Sequence, residues 1–81
     1  MIIFIPYSNE EVFSDGYHYT DDFKTWMLEN IGVGGYTNRK YFDRIFDSKK
    51  NIEWVCDWSS EGEYFKFKDI NHIILFKLTW G

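Results

Sequence analysis

An alternating run of large side chains in the second half of the chain constrains the fold more than any other feature. Apolar residues recur at every second position on both sides of a turn at residues 59–62, and they are Ile52, Trp54, Cys56, Trp58, Phe65 and Phe67. Side chains on a strand point alternately to its two faces, so this pattern predicts a β-hairpin with one apolar wall. We therefore predict that Trp54, Trp58 and Phe65 are core residues.

The segment after the hairpin is predicted to be a helix that closes on the apolar wall. Asp69 stands where an N-cap residue accepts hydrogen bonds from a first helical turn, and Ile70, Ile73, Ile74 and Leu78 recur at helical spacing. Residues 76–80 also alternate and are rich in strand formers, so a strand is the competing interpretation.

The first half of the chain predicts a strand, a loop and a helix. Residues 2–7 are mostly apolar and form the strand, and residues 8–19 form the loop. The helix opens at residues 20–22, where two acidic side chains suit the positive end of the helix dipole. Gly32 is a natural residue for the position just beyond the helix C-terminus.

Residues 39–47 fit two kinds of secondary structure. Tyr41, Phe42, Ile45 and Phe46 match a helical spacing, but the segment also fits a strand, which we predict. With the hairpin this strand would make a three-stranded meander. The complete prediction is a single α+β domain over residues 1–81, with a four-stranded mainly antiparallel sheet and two helices packed on one face.

Composition and charge exclude several classes of protein. A chain of 81 residues fits one domain, and its 22% aromatic content offsets the small core that such a length allows. A formal net charge of −4 argues against general affinity for nucleic acids or anionic membranes. The lone cysteine permits no disulfide within the chain and suits a reducing compartment, and the apolar residues 1–5 are too few to span a bilayer. We expect a cytoplasmic protein.

The sequence contains no motif typical of catalysis or cofactor binding. The soft metal ligands His18, Cys56 and His72 have no ligand spacing, and no nucleophile elbow is present. The glycine run at residues 32–35 follows a helix, whereas a phosphate loop precedes one. We therefore expect a non-catalytic protein without a metal or cofactor.

Two surfaces are candidates for binding. The sheet face opposite the helices is predicted to carry a partner-binding set, which comprises Tyr41, Ile45, Val55, Tyr64 and Lys66. A basic cluster with interleaved aromatic residues could instead stack single-stranded nucleic acid, through Arg39, Lys40 and Arg44. Acidic neighbours cancel much of that positive field, so we expect a protein partner first and nucleic acid second.

The end of the chain resembles a group of small proteins. Tyr-Phe-Lys-Phe-Lys-Asp at residues 64–69, followed by Phe-Lys-Leu-Thr-Trp at residues 76–80, is similar to the ends of small tailed-bacteriophage proteins. The likeness covers about the last quarter of the chain, and it implies a phage origin without a fixed activity. It further implies a protein that binds and modulates a host macromolecule, such as a defence or gene-expression protein.

Overall fold

A computed structural model describes residues 1–81 and confirms the α+β class. The strands are β1 (Ile3–Pro6), β2 (Phe13–Ser14), β3 (His18–Tyr19), β4 (Gly34–Tyr36), β5 (Trp54–Trp58) and β6 (Gly62–Phe67). The helices are α1 (Asp21–Asn30), α2 (Ile45–Ser48) and α3 (Ile70–Thr79), with a 3-10 helix at Arg39–Tyr41.

The main sheet has four strands in the order β1-β6-β5-β4. Strand β6 pairs antiparallel with both β1 and β5, whereas β4 pairs parallel with β5. The prediction of a four-stranded, mainly antiparallel sheet is confirmed, although the parallel β4 makes the sheet mixed. Strands β2 and β3 form a separate two-stranded hairpin.

The two long helices begin at the residues predicted for their starts, and Asp69 is the N-cap that was predicted. The Thr20 side chain accepts a hydrogen bond from the Phe23 amide at the start of α1, and the Asp69 side chain accepts one from the Asn71 amide at the start of α3. Each cap satisfies an amide that has no partner inside the helix. The competing interpretation of residues 76–80 as a strand is therefore wrong.

Helices α1 and α3 pack together on one face of the sheet, as predicted. The rings of Phe23 in α1, Phe76 in α3 and Phe65 in β6 meet at centroid distances of 5.4 to 6.0 Å. These rings are fully buried and occupy the centre of the main core. The prediction that Trp58 is a core residue is wrong, because this last residue of β5 lies beyond the helices and is 63% exposed. Trp54 is half-buried against the main core.

The strand predicted at residues 39–47 is also wrong. This segment forms the 3-10 helix and α2, and it covers the second face of the sheet with a small core of Phe42, Ile45 and Val55. The segment is helical and not a strand because helical spacing places its apolar residues on one side, where they are buried against β5. The fourth strand is instead the short β4, so the predicted meander does not form.

No helix of this protein combines the length and the apolar character that crossing a membrane requires.

Candidate functional site: an aromatic cleft

The predicted partner-binding set is not an open surface. Ile45 and Val55 are buried in the second core, beneath the segment that was predicted to be a strand beside them. Tyr64 is half-buried under the Arg39 guanidinium, whose carbon lies 4.0 Å from the ring centroid. Of this set, Tyr41 is exposed and Lys66 is half-buried. This face is therefore not the open apolar surface on which the prediction depends.

The basic cluster divides into structural and surface residues. Asp57 is buried and accepts two hydrogen bonds from Arg39, one from its backbone amide at 3.0 Å and one from Nε at 3.1 Å. This contact anchors the 3-10 helix to β5, so Arg39 has a structural role. Lys40 and Arg44 remain exposed, with their charged groups 5.2 and 5.9 Å from the Tyr41 ring centroid. We call Lys40, Tyr41 and Arg44 the basic patch.

The largest concavity lies on the other side of the sheet, where β5 ends and β6 begins. Its volume is about 1240 Å³, and we call it the aromatic cleft. Strands β5 and β6 contribute to its lining, as do the β2–β3 hairpin and β4. The aromatic residues that line it are Tyr7, Tyr17, Tyr19, Tyr36, Trp54 and Trp58. Large aromatic-lined concavities are the usual location of ligand sites in proteins.

Local backbone geometry shapes the β4 side of the cleft. The Trp54 indole lies directly over Gly34, where a Cβ atom would fall 2.0 Å from the ring. The indole Nε1 donates a hydrogen bond to the Gly32 carbonyl at 3.0 Å, which fixes the ring in this position. Only a residue without a side chain permits so close an approach between β4 and the indole.

The β2–β3 hairpin supplies another part of the lining. Its turn contains Asp15 with φ +50° and Gly16 with φ +88°, a left-handed pair that reverses the chain tightly. The turn places Tyr17 and His18 at the cleft, with ring centroids 4.4 Å apart and ring planes inclined at 33°. On the β4–β5 side, the Tyr36 and Trp58 rings meet at 4.9 Å.

A hydrogen-bonded cluster of Tyr19, Cys56 and Glu63 lies among the residues that line the cleft. The Tyr19 hydroxyl is 2.5 Å from Glu63 Oε1, to which it donates, and 3.3 Å from Cys56 Sγ. Glu63 is only 5% exposed, and burial raises the pKa of its carboxyl although the Tyr19 hydrogen bond acts the other way. Burial raises the pKa of the Cys56 thiol to about 12 and also raises the pKa of Tyr19.

These pKa shifts limit what the cluster can do chemically. A thiol with a pKa of about 12 is protonated near neutral pH, so Cys56 is a poor nucleophile. The raised pKa of Tyr19 likewise keeps its hydroxyl protonated, so the side chain acts as a hydrogen-bond donor. The cluster can therefore hold a hydrogen-bonded carboxyl group in the cleft, but it does not supply an activated nucleophile.

The lining of the cleft is electrostatically one-sided. Glu63 is its one carboxylate, and neither lysine nor arginine is among the lining residues. An anionic ligand would therefore find no countercharge from these two residue types. His18 and Cys56 both line the cleft, yet the structure brings together no group of three or more His, Cys, Asp or Glu side chains able to hold a metal ion.

The raised pKa of Glu63 leads to a prediction about stability. A carboxyl whose pKa is higher in the folded state binds more protons there, so its contribution to stability falls as pH rises above the unfolded value of about 4.3. We expect the Glu63→Gln variant to lose this decline, so that its stability relative to wild type improves as pH rises. Urea unfolding from about pH 4 to pH 8 measures the difference.

The Glu61→Gln variant, at an exposed position in the turn just before β6, is the matched control for the loss of one carboxylate. A stability difference between Glu63→Gln and wild type that stays constant with pH, or that moves in the opposite sense, would contradict a raised pKa.

Most residues that line the aromatic cleft are not among the binding residues predicted from the sequence. The sequence predicts a loop for Tyr17 and a core position for Trp58, and it makes no prediction for Tyr36. Glu63 could have been found, because period-two alternation places it on the same face as Phe65 and Phe67. A carboxylate in that apolar series is a signal of a special environment.

Comparisons with known proteins leave the cleft as the main guide to function. No family model matches this chain, and neither curated proteins nor solved structures include a match.

Proposed function

We propose that this is a non-catalytic binding protein, and that the aromatic cleft takes a segment of a partner macromolecule. The observation that carries the proposal is the exposure of three large rings around one concavity: Tyr17 at 62%, Tyr36 at 56% and Trp58 at 63%. Tyrosine and tryptophan are enriched among the residues that dominate binding energy. Strands and a tight turn hold these rings, so little conformational entropy is lost when a partner binds.

The partner we propose is a host protein inside an infected bacterial cell. Support for a phage origin comes from the resemblance of residues 64–69 and 76–80 to the ends of small phage proteins. A cytoplasmic location is part of the same proposal, and the lone, buried Cys56 suits a reducing compartment. Modulation of a defence or gene-expression protein would then follow from occupation of the cleft by a segment of that protein.

A second candidate function is nucleic-acid binding at the basic patch. The favouring observation is that Lys40 and Arg44 both lie near the exposed Tyr41 ring, an arrangement suited to stacking a base beside a phosphate. Arg39 is unsuited to this role because Asp57 and Tyr64 occupy its guanidinium. This candidate predicts binding that weakens steeply with salt.

A Trp58→Ala variant tests the leading proposal. Because Trp58 is exposed at the cleft, we expect the variant to fold normally but to bind its partner about 2 kcal/mol more weakly, which is roughly 30-fold. Wild type and variant would be used to capture partners from bacterial lysate with and without nuclease. The affinity for a captured protein would then be measured across a salt series.

Tyr41→Ala is the control variant, because it removes an exposed ring of the basic patch. We expect Tyr41→Ala to bind like wild type. Partner capture could instead be lost in Tyr41→Ala and after nuclease treatment but be unchanged in Trp58→Ala. That result would favour nucleic-acid binding and contradict partner binding in the cleft.

A further inference from the structure

We propose that the aromatic cleft recognises an organic ammonium cation, with aromatic rings around the alkylated nitrogen and Glu63 as the countercharge. The inference rests on the proposed function for the location of the site and adds the chemistry of the ligand. A methylated lysine of a partner segment and a free quaternary amine share this chemistry.

The aromatic lining supplies the first part of the argument. A cation is attracted to the face of an aromatic ring when it lies within about 6 Å of the centroid, and tryptophan is the strongest partner. The Tyr36 and Trp58 rings have centroids 4.9 Å apart and planes inclined at 47°, so they form a corner and not a closed stack. Such a corner offers ring faces to a rounded group, and Tyr17 adds a further ring to the same cleft.

The charge distribution supplies the second part. Glu63 is the one carboxylate that lines the cleft, and neither lysine nor arginine lines it. A cation that binds near this carboxylate compensates a charge that burial otherwise disfavours. The formal net charge of −4 of the whole chain also favours the approach of a cation.

Competing ligand classes fit the lining less well. Phosphates and carboxylates lack a lysine or arginine partner and would lie near Glu63. A neutral apolar ligand would be accepted by the rings but would supply no positive charge to the buried carboxylate, whose partner is the Tyr19 hydroxyl. The test must therefore distinguish binding that depends on the charge of the ligand from binding that depends on its shape.

Choline and its neutral isostere 3,3-dimethyl-1-butanol provide that separation, because they differ mainly in the charged nitrogen. Binding of each to the full chain would be followed by amide chemical shifts in NMR titrations at constant ionic strength. We expect choline to bind at least about tenfold more tightly than the isostere. Equal affinities, or no shifts with choline in the cleft residues, would overturn the inference.

Variants of residues that line the cleft test whether choline binds there. We expect Trp58→Ala and Tyr17→Ala each to weaken choline binding several-fold, and Glu63→Gln to reduce the preference for choline over the isostere without abolishing it, because the rings remain. Tyr41→Ala, outside the cleft, should leave choline binding unchanged. Thermal unfolding of each variant verifies folding, and the two exposed ring variants keep the test valid should Glu63→Gln be unstable. A full choline preference in all three cleft variants would contradict the proposed site.

A peptide that contains trimethyllysine distinguishes the two sources of the cation. Peptide binding far tighter than that of free trimethyllysine supports a partner segment, whereas equal binding supports a small free amine. Failure of the inference can be told apart from failure of the proposed function. If choline does not bind in the cleft but Trp58→Ala still abolishes capture of a protein partner, only the proposal of a cationic ligand is refuted.

Discussion

Replacement of Phe65 by alanine is expected to lower the free energy of unfolding by about 3–5 kcal/mol. The Phe65 side chain is 0% exposed, and its ring lies 5.4 Å from Phe76, 5.9 Å from Trp54 and 6.0 Å from Phe23 between centroids. The change removes the ring on which both long helices and β5 pack, and it leaves a cavity that the sheet cannot close. Chemical denaturation measures the loss, which corresponds to a fall in the melting temperature of roughly 4–8 °C for each kcal/mol.

Trp58→Ala is the matched control for this prediction. Trp58 is a larger residue on the neighbouring strand, and it points to the same side of the sheet, but it is 63% exposed. We expect a stability change within about 0.5 kcal/mol, as for most surface substitutions. A loss comparable with that of Phe65→Ala would mean that Trp58 belongs to the core and that the cleft is narrower than described.

Gly34→Ala is the second substitution with a large expected effect, about 1–3 kcal/mol of destabilisation. The added methyl group would meet Trp54 Cε2 at 2.0 Å and Cδ2 at 2.1 Å. Displacement of the indole costs free energy, because its Nε1 donates a hydrogen bond to the Gly32 carbonyl and its ring packs against the main core. Denaturation would measure the stability loss, and tryptophan fluorescence would report the displaced indole.

Gly35→Ala tests whether the effect at Gly34 comes from this contact. Gly35 is the next residue of β4, and a Cβ atom there meets nothing within 4 Å. Alanine at that position restricts the unfolded chain, so we expect it to be neutral or stabilising by up to about 1 kcal/mol. Equal losses at both positions would show that β4 tolerates no alanine and that the indole is not the cause.

The sequence was most informative where structure depends on neighbouring residues. Asp69 marked the start of α3 and the acidic residues at 21–22 marked the start of α1, because caps and dipole effects act within one helical turn. Alternation likewise placed Phe65 and Phe67 on the buried face of the hairpin.

Features that depend on distant residues could not be predicted in the same way. Strand β4 is three residues long and glycine-rich, and it exists because β5 lies parallel to it. Alternation gives the face of Trp58 but not the place where the helices stop covering that face, which decides its exposure. The same limit applies to the cleft, since its lining comes from both halves of the chain.

The pairing of β1 with β6 also governs how the chain reaches its native state. Strands β5 and β6 are joined by a short turn, whereas β1 must arrive from the opposite end of the sequence. Contacts between distant residues form slowly because a long loop must close first. Until β1 arrives, the β6 edge that faces away from β5 is unpaired, and the free amides and carbonyls of that edge can pair with another chain. We therefore expect strand exchange between molecules to compete with the native pairing when the protein is refolded at high concentration.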